Sequence, residues 1–379
     1  MVSTEDPDGA GEHRPHVGLV AVVGTGLVGT SVALALRNRG VDVLLSDPDK
    51  ASMRMAYDLG AGRPLDDAGE EPPVDVAVVA APPEVVPQVL QELQDRSVAQ
   101  VYTDVSSVKV RVVEGAEELG CDLATFVPGH PMGGREKHGP GAARADLFLG
   151  RAWALCPTGK ADPGAIAAVT EIAHLCGADP LVLDAKTHDR AVALVSHAPH
   201  VVASTVAARL LNGDEAAMTL AGQGVRDITR VAAGAPHLWT AILSHNAIPV
   251  AQVLSEMAEE LTDTAKALRS VDKTGEAALE PVRDLMERGR SGQARIPGKH
   301  GAVQRPAYTV LPVVVPDEPG ALGRLFAAAA DAGVNIEDVR IEHTPGLPLG
   351  VASLYVLPEA EGSLARALSA DGWSVHPGR

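Results

Sequence analysis

The stretch VGLVAVVGTGLVG, residues 17–29, decides the fold. Its first half is rich in valine, which is typical of a parallel strand covered on both faces. A G-x-G-x-x-G sequence follows at residues 24–29, and the chain then continues with a helical pattern. Strand, glycine turn and helix in this order form the dinucleotide-binding fingerprint, in which a pyrophosphate lies at the helix N-terminus. The stretch predicts an α/β chain with an N-terminal Rossmann-type doubly wound parallel sheet.

An acidic residue at the end of the next strand points to the cofactor. Asp47 ends the run VDVLLSD, where such folds bind the adenosine ribose hydroxyls, and its charge would repel a 2′-phosphate. We therefore expect NAD rather than NADP. The alternative is a glycine turn that binds no nucleotide. The expected cofactor-binding residues are Gly24, Gly26, Leu27, Gly29, Asp47 and Ala81.

Composition and charge narrow the classes of partner. The 379 residues carry a formal net charge of −17, which argues against nucleic acid and anionic membranes. Residues 1–16 lack the apolar core of a secretory signal and are expected to be a disordered tail, and we expect no apolar run long enough to span a bilayer. The three cysteines have no metal-ligand spacing, so no metal site is predicted, and their odd number favours a reducing cytoplasm.

Changes in pattern divide the rest of the chain into four segments. Strand and helix patterns alternate through residues 17–185, with WALCP and PLVLD as later strands of the same sheet. Apolar helical patterns fill residues 186–288, and since such helices need a partner surface we expect an all-helical dimerisation domain and a homodimer. A linker rich in glycine, proline and cations is expected at residues 289–306. Residues 307–379 show the β-α-β-β-α-β pattern of a ferredoxin-like domain.

The stretch FVPGHPMGG, residues 126–134, places a histidine between a glycine and a proline. Prolines remove backbone donors and glycines allow close approach, so we expect a shaped loop rather than helix or regular strand. Locally, a functional loop and a structural turn are both open interpretations. Because this loop and DVSSVK follow strands of one parallel sheet, His130 and Ser107 are expected to converge at its carboxyl edge, beside the nicotinamide.

Five motifs together are similar to one enzyme family. The chain resembles the prephenate and arogenate dehydrogenases of tyrosine biosynthesis over roughly residues 17–290, and DEPGAL and VNI near its end resemble an ACT domain. The resemblance implies an NAD-dependent oxidative decarboxylation of prephenate to 4-hydroxyphenylpyruvate. Its motifs, in chain order, are GTGLVGTS, DVSSVK, GHPMGGREK, SHAPH and RDITR.

The resemblance also implies roles for single residues. His130 matches the catalytic histidine that accepts a hydrogen bond from the substrate hydroxyl. Ser107 matches a serine that forms hydrogen bonds with the substrate hydroxyl and with the histidine. Arg230 matches the arginine that binds a substrate carboxylate, and Asp227, on the same helical face, could orient its guanidinium. Each could instead be a structural or surface residue. The remaining substrate-site candidates are His200, His197 and Glu136, the last near the cavity mouth. A histidine such as His197 is more often a core residue than a ligand.

Three further cations and three residues of the last segment complete the candidates. Lys109, Arg135 and Lys137 could neutralise a dicarboxylate substrate or could be ordinary surface charges. In the segment resembling an ACT domain, residues after its first strand and first helix are candidate contacts for an amino-acid effector, with tyrosine feedback as the natural hypothesis. Oligomerisation alone is the alternative role. The effector candidates are Asp317, Gly320 and Asn335.

Several functions remain open at this point. Arogenate, or an amino-substituted prephenate, could be the substrate instead of prephenate. A 3-hydroxyacid dehydrogenase would also join a Rossmann domain to helices, but such enzymes generally use a lysine in the helical domain, and none stands in an apolar helical setting near SHAPH or RDITR. A non-catalytic sensor of NAD and amino acids would be expected to have lost His130, Ser107 or Arg230, and all three are present.

Overall fold

A computed structural model describes five parts of the chain: residues 17–65, 73–133, 138–296, 308–343 and 348–376. The expected tail, residues 1–16, and most of the expected linker lie outside the described residues, as do Glu136, Arg135 and Lys137. The chain divides into two compact units, Met1–Glu259 and Glu260–Arg379.

The first unit contains a six-stranded sheet in the order β3-β2-β1-β4-β5-β6. Every strand pair in it is parallel, as predicted for a Rossmann-type fold. The order reverses beside β1, which creates the crevice at which doubly wound sheets bind dinucleotides. The strands are β1 (Leu19–Val23), β2 (Asp42–Ser46), β3 (Arg63–Pro64), β4 (Val74–Val79), β5 (Ala99–Asp104) and β6 (Phe126–Val127).

Helices cover both faces of this sheet. Side chains alternate along β1, so that Val20 and Val22 pack in one buried cluster while Ala21 packs in the other. Each fully buried valine or leucine contributes roughly 1.5–3 kcal/mol relative to an exposed one. The covering helices are α1 (Leu27–Arg37), α2 (Lys50–Asp58), α3 (Val86–Asp95), α4 (Val110–Glu118) and α5 (Pro163–Leu175).

The chain after β6 forms a separate small sheet. Its strands are β7 (Gly129–Pro131), β8 (Ala152–Leu155) and β9 (Asp179–Val182), with β7 and β8 antiparallel and β8 and β9 parallel. WALCP and PLVLD therefore do not extend the first sheet. The expectation that FVPGHPMGG holds no strand is also wrong, because β7 pairs with β8 and places His130 opposite Ala154.

Helices dominate the next part of the chain, as expected. The helix Ala185–Leu210 consists of α6 (Ala185–Val192), a π-helical segment (Ala193–His197) and α7 (Ala198–Leu210). The π-helical segment ends two residues before Pro199, whose ring cannot fit a regular helix interior. The later helices are α8 (Glu215–Thr219), α9 (Gln223–Thr229), α10 (Pro236–His245), α11 (Ala247–Thr274) and α12 (Glu280–Ala294).

Two expected segment boundaries differ from the structure. The division between compact units falls inside α11 and not near residue 185. Asp189 of the helical part accepts hydrogen bonds from Asn246 and from the start of α4, which ties these helices to the first unit. Residues 289–294 of the expected linker belong to α12.

We expected no apolar run long enough to span a membrane, but one helix is long and apolar enough when only length and composition are considered. The helix Ala185–Leu210 has 26 residues, and its most apolar window has a mean hydropathy of 1.4. A core helix of a soluble protein passes the same test, and this helix buries His188, Asp189, His197 and His200. The apolar pattern is therefore weak evidence for a membrane span.

The second unit contains a four-stranded antiparallel sheet in the order β11-β12-β10-β13. Two helices pack on it through a buried cluster that includes Leu311, Leu325 and Leu364. Its element order is β-α-β-β-α-β. The elements are β10 (Thr309–Pro316), α13 (Ala321–Asp331), β11 (Asp338–His343), β12 (Leu349–Val356), α14 (Pro358–Ala370) and β13 (Ser374–Val375).

Candidate active site

The glycine turn between β1 and α1 is tightly packed on one side and open on the other. Gly24 has φ of 104°, and a Cβ there would lie 2.2 Å from the Ala80 carbonyl oxygen. A Cβ at Gly29 would lie 1.9 Å from the Gly24 oxygen. At Gly26, the residue before α1, a Cβ would meet nothing within 4 Å. The turn thus needs two glycines for its own packing and leaves the backbone at Gly26 open to a pyrophosphate.

Asp47 joins the end of β2 to this turn. Its Oδ2 accepts hydrogen bonds from the backbone N and the hydroxyl of Thr25, at 2.5 and 2.8 Å. Its Oδ1 accepts from the Asp49 backbone N at 2.8 Å. Asp47 also lines a cavity of about 510 Å³. The residue expected to bind a ribose therefore also fixes the glycine turn, a role that the sequence alone did not reveal.

Lys109 is neither a substrate cation nor a surface charge. Its side chain is fully buried, and its Nζ donates to Asp104 Oδ2 at 2.5 Å, Ser106 Oγ at 3.2 Å and the Gly129 carbonyl at 2.6 Å. Asp104 Oδ1 accepts from the Gly129 backbone N at 3.1 Å. The pair therefore ties the end of β5 to β7 and fixes the backbone that carries His130.

His130 is bonded to a second histidine that the sequence analysis missed. Its Nδ1 lies 2.9 Å from His188 Nε2, and His188 Nδ1 lies 2.8 Å from Asp189 Oδ1. Asp189 also accepts from the backbone N of Lys109 at 2.8 Å and of Val110 at 2.9 Å. His188 and Asp189 are buried, whereas the His130 ring is half-buried. The three side chains form one hydrogen-bonded row that ends at His130.

The pKa of His130 lies well below its ordinary value of 6.5. Burial is the main cause, because it disfavours the charged ring, and electrostatic interactions with His188, Lys109 and His197 lower the pKa further. The imidazole is therefore neutral near physiological pH, which is the form that can accept a proton.

His197 is a buried neighbour of this row. Its Nδ1 accepts from Asn246 Nδ2 at 3.1 Å, and the same amide donates to the Asp189 carbonyl at 2.8 Å. Burial lowers the pKa of His197 to about 4. His197 therefore supports the site as a neutral ring, consistent with the core role that the sequence favoured.

His200 and Trp239 form a stacked pair. Their ring centroids are 3.5 Å apart with an interplanar angle of 15°. His200 is buried, and burial lowers its pKa. Gly234 lies against both rings, since a Cβ there would be 2.5 Å from Trp239 Nε1 and 3.0 Å from His200 Cε1. The sequence analysis identified His200 as a candidate but not Trp239, whose ring fixes the orientation of the His200 imidazole.

The remaining candidates lie in more open positions. Ser107 is half-buried, and its hydroxyl has no hydrogen-bond partner among the described residues. Arg230 is exposed and begins a 3₁₀ turn, Arg230–Ala233, that packs against α7. Asp227 Oδ1 accepts from Gln223 Nε2 at 2.7 Å, so its orienting role toward Arg230 stays a prediction.

A signal for the missed residues was present in the sequence. His188 and Asp189 stand side by side directly before the apolar run that leads to SHAPH. Buried histidine and aspartate need partners, so an adjacent pair at the edge of an apolar helix is a candidate for a buried network. Within the part of the chain that the structure describes, no group of three or more histidine, cysteine or acidic side chains could hold a metal ion.

Two family models match the chain. The nucleotide-binding domain of prephenate dehydrogenase matches residues 32–182, and the dimerization domain of prephenate dehydrogenase matches residues 184–280. The chain belongs to the prephenate dehydrogenase family. The predictions of an oxidoreductase of this family and of NAD as its cofactor are confirmed.

Individual relatives agree with this assignment. A probable prephenate dehydrogenase of Streptomyces niveus, NovF, is 40% identical over 361 residues, covering 94% of this chain and 98% of the relative. The prephenate dehydrogenase of Bacillus subtilis is 27% identical, and the match covers 86% of this chain and 88% of the relative. The crystal structure of Aquifex aeolicus prephenate dehydrogenase with hydroxyphenyl propionate and NAD⁺ is 25% identical, with a TM-score of 0.63, covering 72% of this chain and 98% of that one.

Proposed function

We propose that the protein catalyses the NAD-dependent oxidative decarboxylation of prephenate to 4-hydroxyphenylpyruvate, with His130 as the base. One observation carries the assignment of the base. The His130 ring is neutral and half-buried at the carboxyl edge of the parallel sheet, and its Nε2 has no hydrogen-bond partner among the described residues. A ring held at one nitrogen and open at the other can accept a proton from a bound substrate.

The reaction needs a proton acceptor at the C4 hydroxyl of the substrate. His130 Nε2 takes the hydroxyl proton, the C4–H electron pair leaves as hydride, and cleavage of the bond to the ring carboxylate releases CO₂ and leaves an aromatic ring. NAD supplies the hydride acceptor when it is bound at the glycine turn. Positioned acid–base catalysis of this kind contributes roughly 10²–10⁴ in rate.

Other residues fit the binding of the substrate. The Ser107 hydroxyl, without a partner in the described chain, can bond the substrate hydroxyl beside His130. His200, held by Trp239, is suited to the pyruvyl side chain. Arg230 would bind a carboxylate with two parallel hydrogen bonds, the geometry that guanidinium favours. Glu136, at the expected cavity mouth, lies outside the described residues.

An assay of NADH formation tests the activity. Purified protein with NAD and prephenate should produce NADH, followed by its absorbance, and arogenate in a parallel reaction tests the alternative substrate. A matched reaction with His130→Asn should form NADH far more slowly. No NADH from wild-type protein with either substrate would refute this assignment.

We further propose that residues 307–379, within the second unit, form a ferredoxin-like ACT domain through which tyrosine inhibits the enzyme. Its β-α-β-β-α-β order and antiparallel sheet support the assignment. Asp317 and Gly320 are exposed in the turn before α13, where Gly320 has φ of 82°. Asn335 donates to the buried Glu337 at 2.6 Å, so its amide is already oriented. Calorimetry with tyrosine, paired with the NADH assay, tests this: no heat and no inhibition at millimolar tyrosine would refute regulation.

We also propose a cytoplasmic homodimer assembled through the helical part of the chain. Leu211 and Leu220, at the ends of α7 and α8, and Ile248 at the start of α11 are 87%, 84% and 81% exposed, which leaves large apolar side chains open to solvent. A second copy of the chain would cover them. Sedimentation at several concentrations should give twice the chain mass, and a monomer at every concentration would contradict the proposal.

A further inference from the structure

We propose that Asp189 and His188 hold His130 in the tautomer that carries its proton on Nδ1, so that Nε2 is the base. The inference rests on the proposed function for its catalytic meaning, but its structural part can be tested without substrate. His188 and Asp189 are positioning residues in this scheme, since they act through His130 rather than on the substrate.

The direction of each hydrogen bond follows from Asp189. Its carboxylate accepts from the backbone N of Lys109 and of Val110, both of which can only donate. An ionised carboxylate accepts and does not donate, so His188 Nδ1, 2.8 Å from Asp189 Oδ1, must carry a hydrogen. In a neutral imidazole the other nitrogen is then an acceptor. His188 Nε2 is therefore the acceptor in the contact with His130.

The tautomer of His130 follows in turn. His188 Nε2 lies 2.9 Å from His130 Nδ1, so Nδ1 must be the donor and must carry the hydrogen. The lone pair of His130 is then on Nε2, the nitrogen that faces no described partner. If the row were absent, either tautomer could form, and one of them would present an N–H group to the substrate hydroxyl instead of a lone pair.

The same row stabilises the product of proton transfer. When His130 Nε2 takes the hydroxyl proton, the positive charge is shared with Nδ1–H, which donates to His188. The Asp189 carboxylate polarises His188 toward His130 through its own hydrogen bond. Because His188 and Asp189 are 2% exposed each, water screens this interaction little. The buried carboxylate thereby favours the charged base in a site whose burial disfavours it.

Nuclear magnetic resonance tests the tautomer directly. Protein labelled with ¹⁵N at histidine, without substrate and near neutral pH, should show His130 with a protonated Nδ1 and an unprotonated Nε2. His130→Asn identifies the signals, since those of His130 disappear in that spectrum. In His188→Phe, which keeps a flat ring but removes both nitrogens, the Nδ1–H preference should be lost. A His130 protonated at Nε2 in the wild-type protein would overturn the proposal.

Kinetics test the catalytic consequence. His188→Phe should lower kcat by about 10–100-fold, less than His130→Asn, because the base remains but is no longer held in one tautomer, while KM for NAD changes by less than about twofold. Lys186→Gln, at an exposed position of the same helix, should leave kcat unchanged. Full kcat in His188→Phe would overturn the positioning role.

A third variant separates tautomer from packing. Asp189→Asn keeps the side-chain shape, but its amide cannot accept hydrogen bonds from both backbone N–H groups and from His188 at once. His188 should therefore carry its hydrogen on Nε2 and donate it to His130 Nδ1. His130 should then carry its own hydrogen on Nε2. The pH profile of kcat/KM should change together with the tautomer, because Asp189 is one of the charged groups that surround His130. The charged and titratable groups around His130 are His188 and Asp189 of α6, His197, and Lys109 with its partner Asp104. An unchanged ¹⁵N pattern and pH profile in folded Asp189→Asn would contradict the proposal. If wild-type protein forms no NADH, the proposed function fails while the resonance test of the tautomer still stands.

Discussion

Two buried polar clusters lie next to each other in the first unit, and they differ in one respect. In the Lys109–Asp104 cluster, the three protons of the ammonium group meet three acceptors, so the cluster is closed. In the Asp189–His188–His130 row, each hydrogen bond leads to the next residue, and His130 Nε2 has no partner in the part of the chain that the structure describes. Buried charge therefore serves structure in the first cluster and, in the proposed mechanism, chemistry in the second.

The largest expected effect concerns the open end of the row. His130→Asn should lower kcat by about 10²–10⁴-fold, because it removes the proton acceptor. Its affinity for NAD and its urea unfolding midpoint should stay close to those of the wild type, since the closed cluster is intact. Steady-state kinetics, cofactor fluorescence titration and urea unfolding measure the three quantities. A stable variant with unreduced turnover would remove the distinction between the two clusters.

Breaking the closed cluster should have the opposite signature. Lys109→Met leaves the Asp104 carboxylate buried without its cation, which costs about 3–5 kcal/mol of unfolding free energy. Urea unfolding measures the loss. The double variant Asp104→Asn with Lys109→Met removes both charges and should recover part of it. Equal stability of the single and double variants would show that the unpaired Asp104 carboxylate is not the cause of the loss.

Buried neutral histidines should make folding sensitive to acid. The pKa of His197 is about 4 in the folded protein and near 6.5 when unfolded, so below pH 6.5 the unfolded chain binds a proton that the folded chain does not. Stability should fall by about 3 kcal/mol as the pH is lowered from about 6.5 to 4. Unfolding measured across this range should be less steep in pH for His197→Asn. An equal slope in both proteins would contradict the linkage.

The pH dependence of the reaction gives the smallest effect. Because the pKa of His130 is lowered, its basic form persists as the pH falls through 6.5. The acidic limb of kcat/KM should therefore begin below pH 6.5. The measurement is kcat/KM for the substrate with NAD saturating. A limb centred at or above 6.5 would indicate that the ring is not held neutral.

The sequence predicted the parts of the fold that depend on local pattern. The valine-rich strand, the glycine turn and Asp47 specify the first β-α-β unit by spacing alone, and the structure has it. The later strands joined a different sheet, because a run such as WALCP records that a strand is buried but not which strand it pairs with. Pairing depends on contacts between distant residues, which no single run contains.

The candidate site shows the same division. His130 was found from its stiff local setting, whereas His188, 58 positions away, was not. His188 matters because the fold brings α6 against β7, and this contact cannot be deduced from the local sequence of either element. Lys109 was misjudged for the same reason, because a lysine beside two serines suggests a surface turn until Asp104 and Gly129 surround it. Motifs locate the proposed base, while the tertiary fold supplies the groups that position it.

The bonds between Asp47 and Thr25 have a consequence for engineering. Conversion of an NAD enzyme to NADP commonly begins by replacing the acidic residue that would repel the 2′-phosphate. Here that replacement would also remove the carboxylate oxygen that accepts two hydrogen bonds from Thr25 and holds the glycine turn against β2. Cofactor preference and the shape of the phosphate cradle are thus linked through one carboxylate. A successful exchange of coenzyme would have to be designed as a paired change, with position 25 redesigned together with position 47.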